Sequence, residues 1–119
     1  MTQIYDEAHQ FARDFANTPE CLRLKAAQAK LKTDQDKYNK AQAYMTKQMA
    51  VQTRQMMGQS LSEDEIRAFN QETTDILADP DIAEFLTAQM EFGKLFQDVL
   101  KILDDAIGFD VNLFGGGLR

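Results

Sequence analysis

The residues best equipped for chemistry in this sequence are one histidine, His9, one cysteine, Cys21, two acidic runs and a glycine triplet. A Cys–His pair can make a nucleophile, and Cys21 follows Pro19 closely enough to sit near a helix N-terminus, where thiolate is favoured. That pairing needs His9 beside Cys21. Helical periodicity instead turns His9 away from the apolar stripe of its own segment, toward solvent. Cys21 is read as a small apolar core filler. Di-metal sites in helical bundles use Glu-x-x-His pairs, and none occurs here. A single cysteine excludes an intrachain disulfide and zinc sites built from paired cysteines. The runs Glu63-Asp64-Glu65 and Asp104-Asp105 read as helix-start and solvent charges rather than paired catalytic carboxylates. The glycines at 115–117 are not placed between a strand and a helix, so they do not read as a phosphate loop. The residues therefore argue against an enzyme and against a bound metal or cofactor.

Charge is distributed unevenly. The chain of 119 residues has a net charge of −6, yet residues 21–54 carry eight Lys/Arg and two Asp, a net of +6. Residues 55–119 carry four Lys/Arg and thirteen Asp/Glu, a net of −9, and residues 1–20 add −3. The basic side chains, Lys37, Lys40 and Lys47 among them, are spread around their helix, and only Tyr38 and Tyr44 interleave with them. With a pI near 4.7, nucleic-acid binding by residues 21–54 is the weakest reading. A plainer one has the basic segment lying antiparallel on the acidic half of the chain, or meeting an acidic patch on a partner protein. The methionines Met45, Met49, Met56 and Met57, with Met90 further on, offer either an adaptable binding surface or core filling between long helices. Core filling is the plainer expectation.

These side chains need long helices to position them. Hydrophobic residues make up 44% of the chain and charged residues 27%, as in soluble globular proteins, and there are only two prolines and six glycines. No apolar run approaches a membrane span, MTQIYDEAHQ has no signal-peptide character, and cytosol is the expected location. Thr2 can cap a first helix over residues 3–16, with Ile4, Ala8, Phe11 and Phe15 on one stripe. Asn17 or Thr18 caps a second, Pro19 takes its first position, and Leu24, Leu31, Tyr38 and Met45 repeat every seven residues. One long helix over residues 19–57 is expected, with a weak point near Thr33. Gly58 closes it. Ser62 with Glu65 forms a capping box, with Leu61 and Ile66 as hydrophobic staple, and opens a third helix over 63–78 that buries Ile66, Phe69, Thr73, Ile76 and Leu77.

Asp79-Pro80 starts the last helix, which Gly108 ends. Its 28 residues would span about 42 Å, against a radius of gyration of about 13 to 14 Å for a compact chain of this length. The fold class that results is all-α: an elongated bundle of about four helices built as two helical hairpins. Residues 1–108 form a single domain, followed by a glycine-rich tail at 109–119 whose Phe109 and Phe114 could pack on the bundle. Aligning Pro19 with Pro80 sets Ala27 against Ala88 and Gln28 against Gln89, a faint internal repeat. The apolar face of the last helix, with Phe92, Leu95, Phe96, Val99, Leu100, Leu103 and Ile107, is wider than one thin stripe can cover. Self-association as a dimer or larger is expected through it. Lys37, Lys40, Lys47, Met45, Met49 and Met56 are the candidate surface for another partner.

The stretches TPECLRLKAAQAKLKTD, QAYMTKQMAVQTRQMMGQSLSEDEI and DPDIAEFLTAQMEFGKLFQDVLKIL together resemble the YlbF/YmcA family of small bacterial proteins, over about residues 3–107. The resemblance implies an all-helical, self-associating, cytosolic protein with no catalysis of its own. It also implies a role in a complex that modulates RNase Y, and through it mRNA maturation, competence, biofilm formation and sporulation. Some relatives carry an iron–sulfur cluster on cysteines of more than one member. This sequence has only Cys21 and none in its tail, so no cluster is expected. The runner-up functions are a small helical chaperone using the methionine surface, and RNA binding by residues 21–54.

Overall fold

A computed structural model describes residues 3–108, and the described residues form five helices and no strand. They are α1 (Gln3–Ala16), α2 (Pro19–Lys32), α3 (Gln35–Met56), α4 (Glu63–Leu77) and α5 (Pro80–Ile107). Each boundary follows from local chemistry. The Thr18 side chain accepts the Cys21 N–H and Pro19 takes the first turn of α2. Ser62 and Glu65 exchange side chain-to-backbone hydrogen bonds at the start of α4. Asp79 caps α5 through the N–H groups of Asp81 and Ile82. Gly58, at φ 76°, closes α3: its N–H reaches the Gln55 carbonyl and the Gln59 N–H reaches that of Arg54. Gly108, at φ 67°, ends α5. The proposed Thr2 cap and the tail with Phe109 and Phe114 lie outside the described residues.

Residues 19–57 do not form one helix. The chain breaks at Thr33-Asp34, giving five helices where about four were expected. Thr33 ends α2, its hydroxyl bonded to the Lys30 carbonyl. Asp34 turns to extended backbone and accepts the N–H groups of Asp36 and Lys37, a new N-cap. With no apolar residue between Leu31 and Tyr38, continuous helix there would bury nothing. The cap wins instead.

Leu31, Ala41 and Ile82 form the core at this break, with Tyr38, Ile76, Phe85 and Leu86 packed around them. Four helices meet there. Above it, α2 runs antiparallel to α5, with Ala27 and Ala88 both buried between them. Beyond it, α3 and α4 form a hairpin in which Tyr44 is buried, stacks on Phe69 at 5.6 Å between ring centres and hydrogen-bonds Thr73 at 2.8 Å. The molecule is elongated, 53 × 38 × 18 Å with a radius of gyration of 17.8 Å.

Two burial expectations fail. On α4, Phe69, Thr73 and Ile76 are half-buried, but Ile66 and Leu77 are exposed. Of the methionines, Met45 is half-buried, whereas Met49, Met56, Met57 and Met90 are exposed, Met56 at 84%. No described helix covers them. The compact junction makes a sharp prediction: Leu31→Ala should lower the unfolding free energy by about 3 kcal/mol. His9→Ala, on an exposed face, should change it by less than about 0.5 kcal/mol. Urea denaturation measures both, and equal losses would contradict a core centred on Leu31.

Candidate functional site

The cations of residues 21–54 are largely engaged with this chain's own acids. Arg23 on α2 contacts Glu84 at 2.7 Å and Glu91 at 2.5 Å on α5. Lys37 reaches Asp81 at 2.9 Å and Asp79 at 3.4 Å, and Lys30 joins Asp81 at 3.3 Å. Along the α3–α4 hairpin, Lys47 pairs with Glu72, and Arg54 with Glu65 at 2.6 Å. The antiparallel pairing of basic and acidic halves is therefore present. Lys40, by contrast, is exposed on α3.

These pairs shift the carboxylates. The Arg54 guanidinium and the Ser62 N–H hold Glu65 down to about 2. Lys37, with Lys30, lowers Asp81, and Arg23 lowers Glu84. All are at the surface, where each pair contributes little alone. Their work is to fix which helices pair and in which direction.

His9 and Cys21 lie on different helices. His9 is exposed on α1. Cys21 is a half-buried free thiol near the start of α2, only partly the core filler expected. Among the described residues no three His, Cys, Asp or Glu side chains converge as metal ligands would. A depression of about 220 Å³ between α2 and α5 is lined by Glu20, Glu91, Lys94, Leu95 and Asp98. It is small, open and charged, unlike an enclosed apolar ligand site.

What the fold does present is uncovered apolar helix. Every residue of α1 from 3 to 14 is exposed, with Ile4, Tyr5 and Phe11 on its apolar side. Only its last turn packs: Phe15 meets Phe92 at 5.7 Å and Phe96 at 6.3 Å, ring edge to face. Of the α5 face singled out from sequence, Phe92, Leu95, Val99 and Leu100 are half-buried, while Phe96, Leu103 and Ile107 are exposed. Two apolar helical walls thus open from one aromatic vertex. The first of them, on α1, was not singled out from sequence, although its stripe was plain. A second surface, on α3, joins the exposed Met49 and Met56 to Gln48, Gln52 and Thr53 and has no charge.

A family model described as "Control of competence regulator ComK, YlbF/YmcA" matches residues 4–108. The chain belongs to the YlbF/YmcA family. A UPF0342 protein of Caldicellulosiruptor bescii is 29% identical to it over 115 residues, 97% of each chain. A UPF0342 protein of Halothermothrix orenii is 32% identical over 100 residues, 84% of this chain and 85% of its own. That of Lacticaseibacillus casei is 31% identical over 108 residues, covering 90% and 94%. No solved structure gives a significant match. Among the described residues of this YlbF/YmcA member, no helix is long and apolar enough to cross a membrane.

The ion pairs predict an acid dependence with a definite sign. Glu65, Asp81 and Glu84 have lowered folded-state values, so their stabilisation is complete above the unfolded carboxylate range and lost as pH falls. The urea midpoint should therefore drop between about pH 5 and about pH 2. Arg54→Met, which releases Glu65, should flatten that dependence. An identical pH profile in the variant would contradict the assignment.

Proposed function

We propose that this chain is a non-enzymatic adaptor that acts by binding proteins, as a YlbF/YmcA-type modulator of RNase Y-dependent mRNA processing and of the developmental pathways it feeds: competence, biofilm formation and sporulation. One observation carries the reading. Apolar residues on α1 and the far half of α5 stand uncovered beside the packed α2–α5 pair. Surfaces of that kind mark interaction sites. Copies of the chain associate through the α5 face at 92–107, and two separate parts of α3, the neutral Met49–Met56 side and the exposed Lys40, are left to meet RNase Y or another family member in the cytosol. Lys37 and Lys47 contribute less than their charge suggests, because both are paired within the chain.

The exposed methionines favour a second reading, a small chaperone that holds unfolded clients on an adaptable surface. RNA binding has less support, since Arg23, Lys30, Lys37, Lys47 and Arg54 are already neutralised by neighbouring acids. Affinity capture of the tagged chain from its native cytosol, read by mass spectrometry, separates the three. Recovery of RNase Y or a second family member at fixed stoichiometry is expected. A broad set of unfolded clients would favour the chaperone, and nuclease-sensitive recovery that collapses with salt would favour RNA. Either outcome would overturn the adaptor reading.

A further inference from the structure

The two apolar walls that open from Phe15 raise the question of what lies on them. Three observations narrow the occupant. First, α1 has 14 residues and packs only through its last turn. Helices of that length are marginal in water without tertiary cover. Toward its N-terminus its local support among the described residues comes from exposed polar pairs such as Gln3–Glu7 and Gln10–Asp14, while Asn17 and Thr18 bond the carbonyls of its last turn. Second, α1 cannot cover α5 within one chain, because it leaves α5 beyond Phe15 and Phe11 is already 51% exposed. Third, the uncovered area suits a dimer. Ile4, Tyr5 and Phe11 on one wall and Phe96, Leu103 and Ile107 on the other are each about half to two-thirds exposed. At roughly 100 Å² apiece they offer about 600 Å² per copy, or about 1,200 Å² for two, the lower edge of a specific interface.

We propose that a second copy of this chain occupies both walls, with α1 of each protomer lying on residues 96–107 of the other's α5. This deepens the self-association proposed above and rests on it. Both stripes are one helix wide with spacings of three and four, so each can seat the other as ridges in grooves. A two-fold axis brings both contacts at once and leaves neither wall bare. A different partner would have to supply two apolar helices at the same angle. The second copy already has them. Charge does not drive the contact: α1 carries a net −2 and residues 92–107 a net −1. Added salt should therefore leave the dimer intact or tighten it.

Single cysteines placed at Ile4, Ala8 or Phe11, and separately at Val99, Leu103 or Ile107, in a Cys21→Ser background, test the arrangement. Mixing an α1 variant with an α5 variant should give a disulfide-linked dimer for at least one pairing, while each variant alone stays unlinked. Light scattering on the unmodified chain should give twice the monomer mass, and Phe11→Asp or Leu103→Asp should halve it with a loss of helical circular dichroism no larger than the 14 residues of α1 account for. Linking of the α5 variants with themselves, or a dimer with no α1–α5 link, would overturn the exchanged arrangement and leave self-association standing. A monomer would overturn both, and one that dimerises only when residues 109–119 are removed would show that the chain's own tail holds the face.

Discussion

Ala27 and Ala88, both buried, let α2 and the first half of α5 lie close together, and the rest of the molecule hangs on that contact. Small side chains permit the approach, and Arg23, clamped between Glu84 and Glu91, sets its direction. With α2 fixed on α5, the break at Thr33-Asp34 turns α3 toward α4, and Leu31, Ala41 and Ile82 close over the junction. The α3–α4 hairpin and α1 are then attached at their ends. The frame is closely packed at one place and extended everywhere else. Such a body has much surface for its mass.

Much of the fold was legible because helix ends are written in short-range chemistry. Thr18-Pro19, Ser62 with Glu65, Asp79-Pro80, Gly58 and Gly108 each satisfy backbone groups that a helix end leaves free, and each stands where its residues implied. Asp34 was missed for a physical reason. Leu24, Leu31, Tyr38 and Met45 keep a seven-residue spacing across the break, and periodicity reports the phase of a stripe without reporting whether the backbone is continuous.

Burial was less legible than helicity. An amphipathic stripe shows that a helix has an apolar side, not that the same chain covers it. Met49, Met56, Ile66 and Leu77 have the spacing of core residues and are exposed, on faces that no other described helix covers. The α5 face was recognised as surplus from its width alone. The α1 stripe was just as plain, yet only the divergence of α1 from α5 after Phe15 shows it to be uncovered. Charge pairing, in contrast, could be anticipated from the opposite signs of residues 21–54 and 55–119, since long-range attraction does not depend on fine geometry.

If α1 and the far half of α5 gain their cover from another copy, that cover is lost on dilution. Hydrogen exchange of the α1 backbone amides over a dilution series addresses it directly, because exposed helix with no tertiary cover exchanges by local opening. Protection of residues 4–14 should rise with protein concentration, while that of the core around Leu31 and Ile82 stays constant. Protection of α1 that is unchanged on dilution would contradict cover by another copy.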